Sequence, residues 1–184
     1  MPLLQPSPES SLSSKPETVD PDKLSFKERG FSFIPVRQAH LNYLVSVYGR
    51  EHPSMDRVFG RTMVDKNFLP LGMALIYFPT DEQSKAECHA HFSGWFRRYP
   101  KEILDGMRPI CRKARDAGVK ELYAIADEAI EGSIDLVRWF DGEKTGERNL
   151  EPPVGDIYRL DLYSPKFKKW LDQRDRGYGY DVKR

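Results

Sequence analysis

Between residues 86 and 140 the spacing of apolar positions changes period more than once, and each change marks an element. Cys88, Ala90, Phe92 and Phe96 alternate with Glu87, His89, His91, Ser93 and Trp95, the period-two pattern of a strand with two chemically different faces. From Pro100 the apolar residues fall at steps of one, three and four (Ile103, Leu104, Met107, Ile110, Cys111, Ala114). That spacing predicts a helix over 100–117 lying on a sheet. Pro100 suits an early helical position, Gly118 a C-cap, and Arg112, Lys113 and Arg115 the negative end of the helix dipole. Pro109 removes one helical hydrogen bond and is expected to loosen the helix near Asp105 and Gly106. The short apolar run 122–126 reads as a strand buried on both faces, as in a parallel sheet. Two parallel strands joined by a helix cross over right-handedly and open their carboxyl ends to ligands. A last helix, 133–140, presents Ile134, Val137 and Phe140 on one side.

The same reading extends to both flanks. Residues 31–36 form a first strand and 38–48 a helix with Leu41, Leu44, Val45 and Tyr48 in its stripe. Gly49 and Pro53 break it, and 55–68 reads as a less regular helical segment with Val58, Phe59 and Met63 as core residues. Residues 71–78 are the most apolar strand, expected at the centre of the sheet, and the polar turn 80–85 folds it into an antiparallel hairpin with the strand that follows. Residues 141–155, rich in Gly and Pro, read mostly as loop, and 156–163 as the final strand.

Length and composition narrow this to one packed domain with tails. Residues 1–22 interleave proline and serine and form an extended arm that buries too little apolar surface to offset its ordering entropy. Residues 23–164 form the domain. Residues 165–184 form a tail in which seven basic side chains face three acidic ones, and Phe167, Trp170 and Leu171 make one amphipathic turn. Over the chain 29 basic residues balance 28 acidic ones, which argues against a surface built as a whole for nucleic acid or an anionic membrane. Cys88 and Cys111 fall at core positions and read as buried thiols, in keeping with a reducing compartment. No apolar run has the length of a membrane span, and the start lacks the order of a signal peptide. The chain is expected to be soluble in the cytoplasm where it is made.

Strand, long helix, strand, short helix and the closing strand Asp-Ile-Tyr-Arg-Leu-Asp-Leu-Tyr (156–163) are also compatible with an ordinary β-α-β unit of any α/β protein. Their order resembles the second half of the GNAT acyltransferase fold. The opening Phe-Ser-Phe-Ile-Pro-Val-Arg-Gln-Ala-His (31–40) is similar to that family's first strand and the start of its first helix. The likeness covers roughly residues 31–164. Within the superfamily, Arg-Tyr-Pro-Lys (98–101) resembles the turn opening the long helix in GNAT-like internal virion proteins of short-tailed bacteriophages. The resemblance implies an α/β fold with a mixed central sheet flanked by helices. It also implies incorporation in a virion, made in the host cytoplasm, as one destination of the chain.

The same resemblance locates an acyl-CoA site. In the family a turn of the pattern Gln/Arg-x-x-Gly-x-Gly/Ala holds the pyrophosphate with backbone N–H groups. Here Arg97 keeps the first position, Pro100 replaces a glycine and removes a donor, and Glu102 adds a carboxylate. Arg98 and Lys101 offer compensating charge, so Arg97, Arg98 and Lys101 are the candidate pyrophosphate ligands. Glu87 stands where the family places a general base. The usual tyrosine acid is missing, since 133–140 contains none. His89 and His91 share a strand face at a spacing that suits zinc, but no third ligand accompanies them, and no metal is expected. Two functions follow. One is a GNAT-like phage protein without efficient catalysis and without a cofactor, acting in virion structure or assembly through its surface and tails, with other virion proteins or further copies of itself as partners. The other is an N-acetyltransferase using acetyl-CoA. The basic aromatic tail also has the composition for nucleic-acid contact, although docking on a protein neighbour or on its own domain is the preferred reading.

Overall fold

The aromatic and aliphatic stripes converge on a single seven-stranded sheet with order β1-β2-β3-β4-β5-β7-β6. In a computed structural model of the chain, residues 20, 23–48, 54–78 and 84–175 are described. The strands are β1 (Ser32–Pro35), β2 (Val58–Val64), β3 (Pro70–Tyr77), β4 (Lys85–His91), β5 (Glu121–Ile125), β6 (Glu143–Asn149) and β7 (Gly155–Asp161). The helices are α1 (Gln38–Tyr48), α2 (Ser93–Arg98), α3 (Pro100–Asp116), α4 (Ser133–Trp139) and α5 (Pro165–Leu171). All neighbouring strands are antiparallel except β4 and β5, which run parallel with α3 as the crossover. The parallel pair, its helix and the β3–β4 hairpin thus lie where the apolar spacing put them.

Helix α3 runs unbroken through Pro109 and ends in a paired cap. Val119 N–H donates to Ala114 O at 3.0 Å and Gly118 N–H to Arg115 O at 2.9 Å, with Gly118 at φ +94°. These two bonds satisfy carbonyls that a helix end otherwise leaves open. Ile103, Met107, Ile110, Cys111 and Ala114 bury the opposite side of the helix in the main core. A smaller core on the other face of the sheet gathers Leu41 of α1 with Val36, Val58, Met73 and Leu75.

Three segments differ from the sequence reading. Residues 58–64 are a strand, not a helix. Phe59 and Met63 pack toward the main core while Val58 belongs to the smaller one, so burial on both faces hides the period of two. The strand expected over 87–96 ends at His91, and 93–98 is α2. Phe92, Trp95, Phe96 and Tyr99 form a helical stripe, of which Phe92 and Phe96 also fit an alternation, and tertiary packing selects the helix. Trp95 stacks on Tyr99 at 6.3 Å, both rings meet Phe31 edge-on, Phe26 meets Tyr99 edge-on, and Tyr99 Oη donates to Leu24 O at 2.7 Å. Residues 143–149, expected as loop, form edge strand β6. Its residues are mostly exposed, so hydropathy carries no signal. Charge pairs with β7 hold it: Lys144 to Asp156, Arg148 to Asp156 at 3.4 Å, and Glu143 to Arg159 at 2.6 Å. A lysine-bearing, charged edge also resists pairing with other chains.

The amphipathic turn of the C-terminal tail is α5. Ser164 caps it, its Oγ accepting from Phe167 N–H, and Phe167, Trp170 and Leu171 are buried in the main core. Three arginines on α3 hold the residues that follow. Arg112 donates from Nε to Leu171 O at 2.6 Å and from Nη1 to Asp175 at 2.8 Å, and Arg115 lies 3.7 Å from Asp172. Arg108, 1% exposed, pairs with Asp105, donates to Gln173 Oε1 at 3.2 Å and lies over the Trp170 ring at 5.3 Å. The arm 1–19 and the tail residues 176–184 lie outside the described residues.

Candidate functional site

The parallel pair separates soon after it forms. β4 and β5 are in register only at Lys85–Glu121, Ala86–Leu122 and Glu87–Tyr123, while β4 continues to His91 and β5 to Ile125. β5 instead stays with β7 along its whole length, and Gly155 permits this, since a Cβ there would lie 2.0 Å from Ala126 O. The divergence leaves a cleft of about 1010 Å³ at the carboxyl ends of the two strands. Such a break between parallel neighbours is where open α/β sheets take ligands. Its inner walls are apolar, with Cys88 and Ala90 from β4, Leu104 and Met107 from α3, and Leu136 from α4.

Of the residues singled out from sequence, Glu87, Arg97 and Lys101 line this cleft. Glu87 Oε2 lies 3.1 Å from His89 Nε2 on the β4 face turned away from α3, and the two side chains are 45% and 31% exposed. Water screens a pair of this exposure. Arg97, in the last turn of α2, forms an ion pair with Glu131 of the loop before α4. Lys101 is the second residue of α3, beside the same opening. Arg98 is not a wall of the cleft; its guanidinium stacks on Trp95 at 5.6 Å. Among the described residues no group of three or more His, Cys, Asp or Glu is placed to hold a metal ion.

A pyrophosphate grip needs open backbone N–H groups and nearby positive charge. The chain offers charge from Arg97 and Lys101 but few open amides. The segment that would wrap the phosphates, 97–102, joins α2 to α3, and amides at this junction turn inward: Tyr99 N–H donates to Trp95 O at 2.9 Å and Ile103 N–H to Tyr99 O at 3.0 Å. Pro100 brings no N–H to the start of α3, and Glu102 sits in its first turn. The Phe26, Phe31, Trp95 and Tyr99 cluster holds this corner in place, while the Arg97–Glu131 pair is exposed and screened by water. The residues present do not fit a family-type acyl-CoA grip. The thiols offer no nucleophile either. Burial pushes Cys88 up to about 12, and burial together with the neighbouring Cys88 pushes Cys111 up, so neither forms thiolate near neutral pH.

Sequence reasoning missed part of the wall, where Asp127, Glu131 and Asp135 also line the cleft and Glu131 pairs with Arg97. One signal pointed there: the loop after the second parallel strand lies at the same carboxyl end as the residues after the first.

No known protein family matches the sequence, and no curated protein does. Solved structures do match the fold. A Klebsiella pneumoniae protein provisionally described as an acyl-CoA N-acyltransferase aligns at TM-score 0.54 and 11% identity, over 72% of this chain and 98% of that one. A spermidine/spermine N-acetyltransferase from Vibrio cholerae, in mutant forms, aligns at TM-score 0.53 and 9% identity, over 76% and 97%. An N-acetyltransferase from Staphylococcus aureus aligns at TM-score 0.50 and 18% identity, over 72% and 98%. No helix among the described residues is long and apolar enough to cross a membrane. The fold, a mixed seven-stranded sheet flanked by helices, is similar to that of the GNAT acyltransferases.

Proposed function

We propose that this protein keeps the acyltransferase architecture without efficient acyl transfer and acts in the structure or assembly of a bacteriophage particle, through its surface and tails. The observation that carries the loss of catalysis is the corner from α2 to α3, where a helix and a proline without an N–H stand in the place of a phosphate cradle. The phage role draws its support from the likeness of Arg-Tyr-Pro-Lys (98–101) to the corresponding turn of internal virion proteins. Acetyl-CoA should leave the melting temperature unchanged, because a ligand that does not bind the native state cannot stabilise it. A micromolar dissociation constant by titration calorimetry overturns the catalytic part. Absence of the chain from purified particles and from assembly intermediates overturns the phage part.

One observation favours the acetyltransferase reading: Glu87 and His89 share a face of β4 on the cleft, an arrangement able to accept a proton from an amine. On that reading Arg97→Ala weakens acetyl-CoA binding, and Pro100→Gly strengthens it by returning a backbone donor.

A further inference from the structure

We infer that the groove between α3 and α4, leading from α5 to the mouth of the cleft, is the docking site of the chain's own C-terminal residues 176–184. The argument begins where the described chain stops. Asp175 is fixed on α3 by Arg112 at 2.8 Å and by the buried Arg108 at 3.5 Å, so the next residues start from a defined point. Arg112, Arg108, Leu104 and Lys101 follow one another along one side of α3 at helical spacing. From Arg108 to Lys101 the helix rises about 10 Å, whereas nine extended residues reach about 30 Å. The segment is therefore long enough to run up the groove to its mouth.

The groove and the segment are complementary. Its sides carry Leu104 of α3 with Leu136 and Trp139 of α4, and α5 closes its lower end with Trp170. Trp139 remains 42% exposed, unusual for so large an apolar surface. Toward the mouth the cleft is acidic on balance, since Glu87, Asp127, Glu131, Asp135 and Glu147 outnumber Lys85, Arg97 and Lys101 in its lining. In the segment Arg176-Gly-Tyr-Gly-Tyr-Asp-Val-Lys-Arg184, extended backbone places Tyr178, Tyr180 and Val182 on one face and Gly177 and Gly179 on the other. The aromatic face suits the apolar sides, the glycine face lets the backbone lie close, and three cations against one carboxylate suit the acidic mouth. Beyond Glu87 and Tyr123, β4 and β5 no longer pair with each other, so the mouth offers strand edges to an extended peptide. The same occupant would stand in the way of any anionic ligand entering between Arg97 and Lys101.

The test is independent of acetyl-CoA. In full-length protein carrying Tyr178→Ser and Tyr180→Ser, hydrogen exchange of residues 100–107 and 133–139 should speed up roughly tenfold while that of β3 stays unchanged. Asp135→Lys should give the same local loosening. A chain ended at Asp175 keeps the arginine contacts, and adding a synthetic peptide of residues 176–184 to it should restore the protection, whereas full-length protein should ignore the peptide. Exchange unaltered by the tyrosine substitutions overturns the inference. Protection that grows with protein concentration also overturns it, because the occupant would then be the segment of a second copy.

Discussion

At Gly106 the missing side chain lets α3 lie against β1, since a Cβ there would come within 2.4 Å of the Phe33 ring. Gly106→Ala should destabilise by about 1–3 kcal/mol through overpacking, measured by urea denaturation. Gly118 is required for another reason: its Cβ would meet open space, but φ is +94°, so alanine there costs about 1 kcal/mol in backbone conformation. His40 is a third local decision. Its Nδ1 accepts from Arg37 N–H at 3.2 Å and lies 3.0 Å from Thr62 Oγ1, which fits the neutral ring with its proton on Nε2. Burial, with the nearby Arg37 charge, holds its pKa below the ordinary 6.5. A depressed base contributes stability that is present above the unfolded value and lost as pH falls through the folded one. Denaturation midpoints should therefore fall below about pH 6.5, and less steeply in His40→Gln.

Among the elements, α2 and α5 do most to set this molecule apart from a plain β-α-β unit. α2 fills the corner after β4 with aromatic side chains. α5 fills the space between α3 and α4, with Phe140 stacked on Phe167 at 4.5 Å and edge-on to Trp170 at 4.8 Å. Trp170 is 4% exposed, and Trp170→Ala should cost about 3–5 kcal/mol. A chain ended at Ser164 should lose its cooperative thermal transition, because it lacks Phe167, Trp170 and Leu171 and leaves Arg108 buried beside Asp105 with its other partners gone. Calorimetry of the two proteins checks both outcomes.

For the molecule as a whole, the unequal cores on the two faces of the sheet set the order in which it opens. The main core joins α3, α4 and α5 to the sheet, whereas the smaller one rests on Leu41, Val36, Val58, Met73 and Leu75. Leu41→Ala should cost about 2–5 kcal/mol locally. In native-state hydrogen exchange it should release α1 before β3 or α3, since fewer buried contacts hold it. Simultaneous release of α1 and α3 would show that the two cores open as one unit.

Sequence alone determined the parallel pair, its crossover helix and the hairpin before it, because β4 and α3 alternate apolar with polar positions, and β3 and β5 are short apolar runs bounded by turn residues. Gly118 and Pro100 were legible at the helix ends for the same local reason. Tertiary structure decided what lacks such contrast. β2 is buried on both faces, β6 on neither, and the stripe from Phe92 to Tyr99 satisfies two periods until Phe26 and Phe31 pack against it. The site divides in the same way. Glu87, Arg97 and Lys101 could be picked out along the chain, but the cleft exists because β5 follows β7 rather than β4. The carboxylate that pairs with Arg97, that of Glu131, comes from the loop before α4, and only the folded chain brings the two sides together.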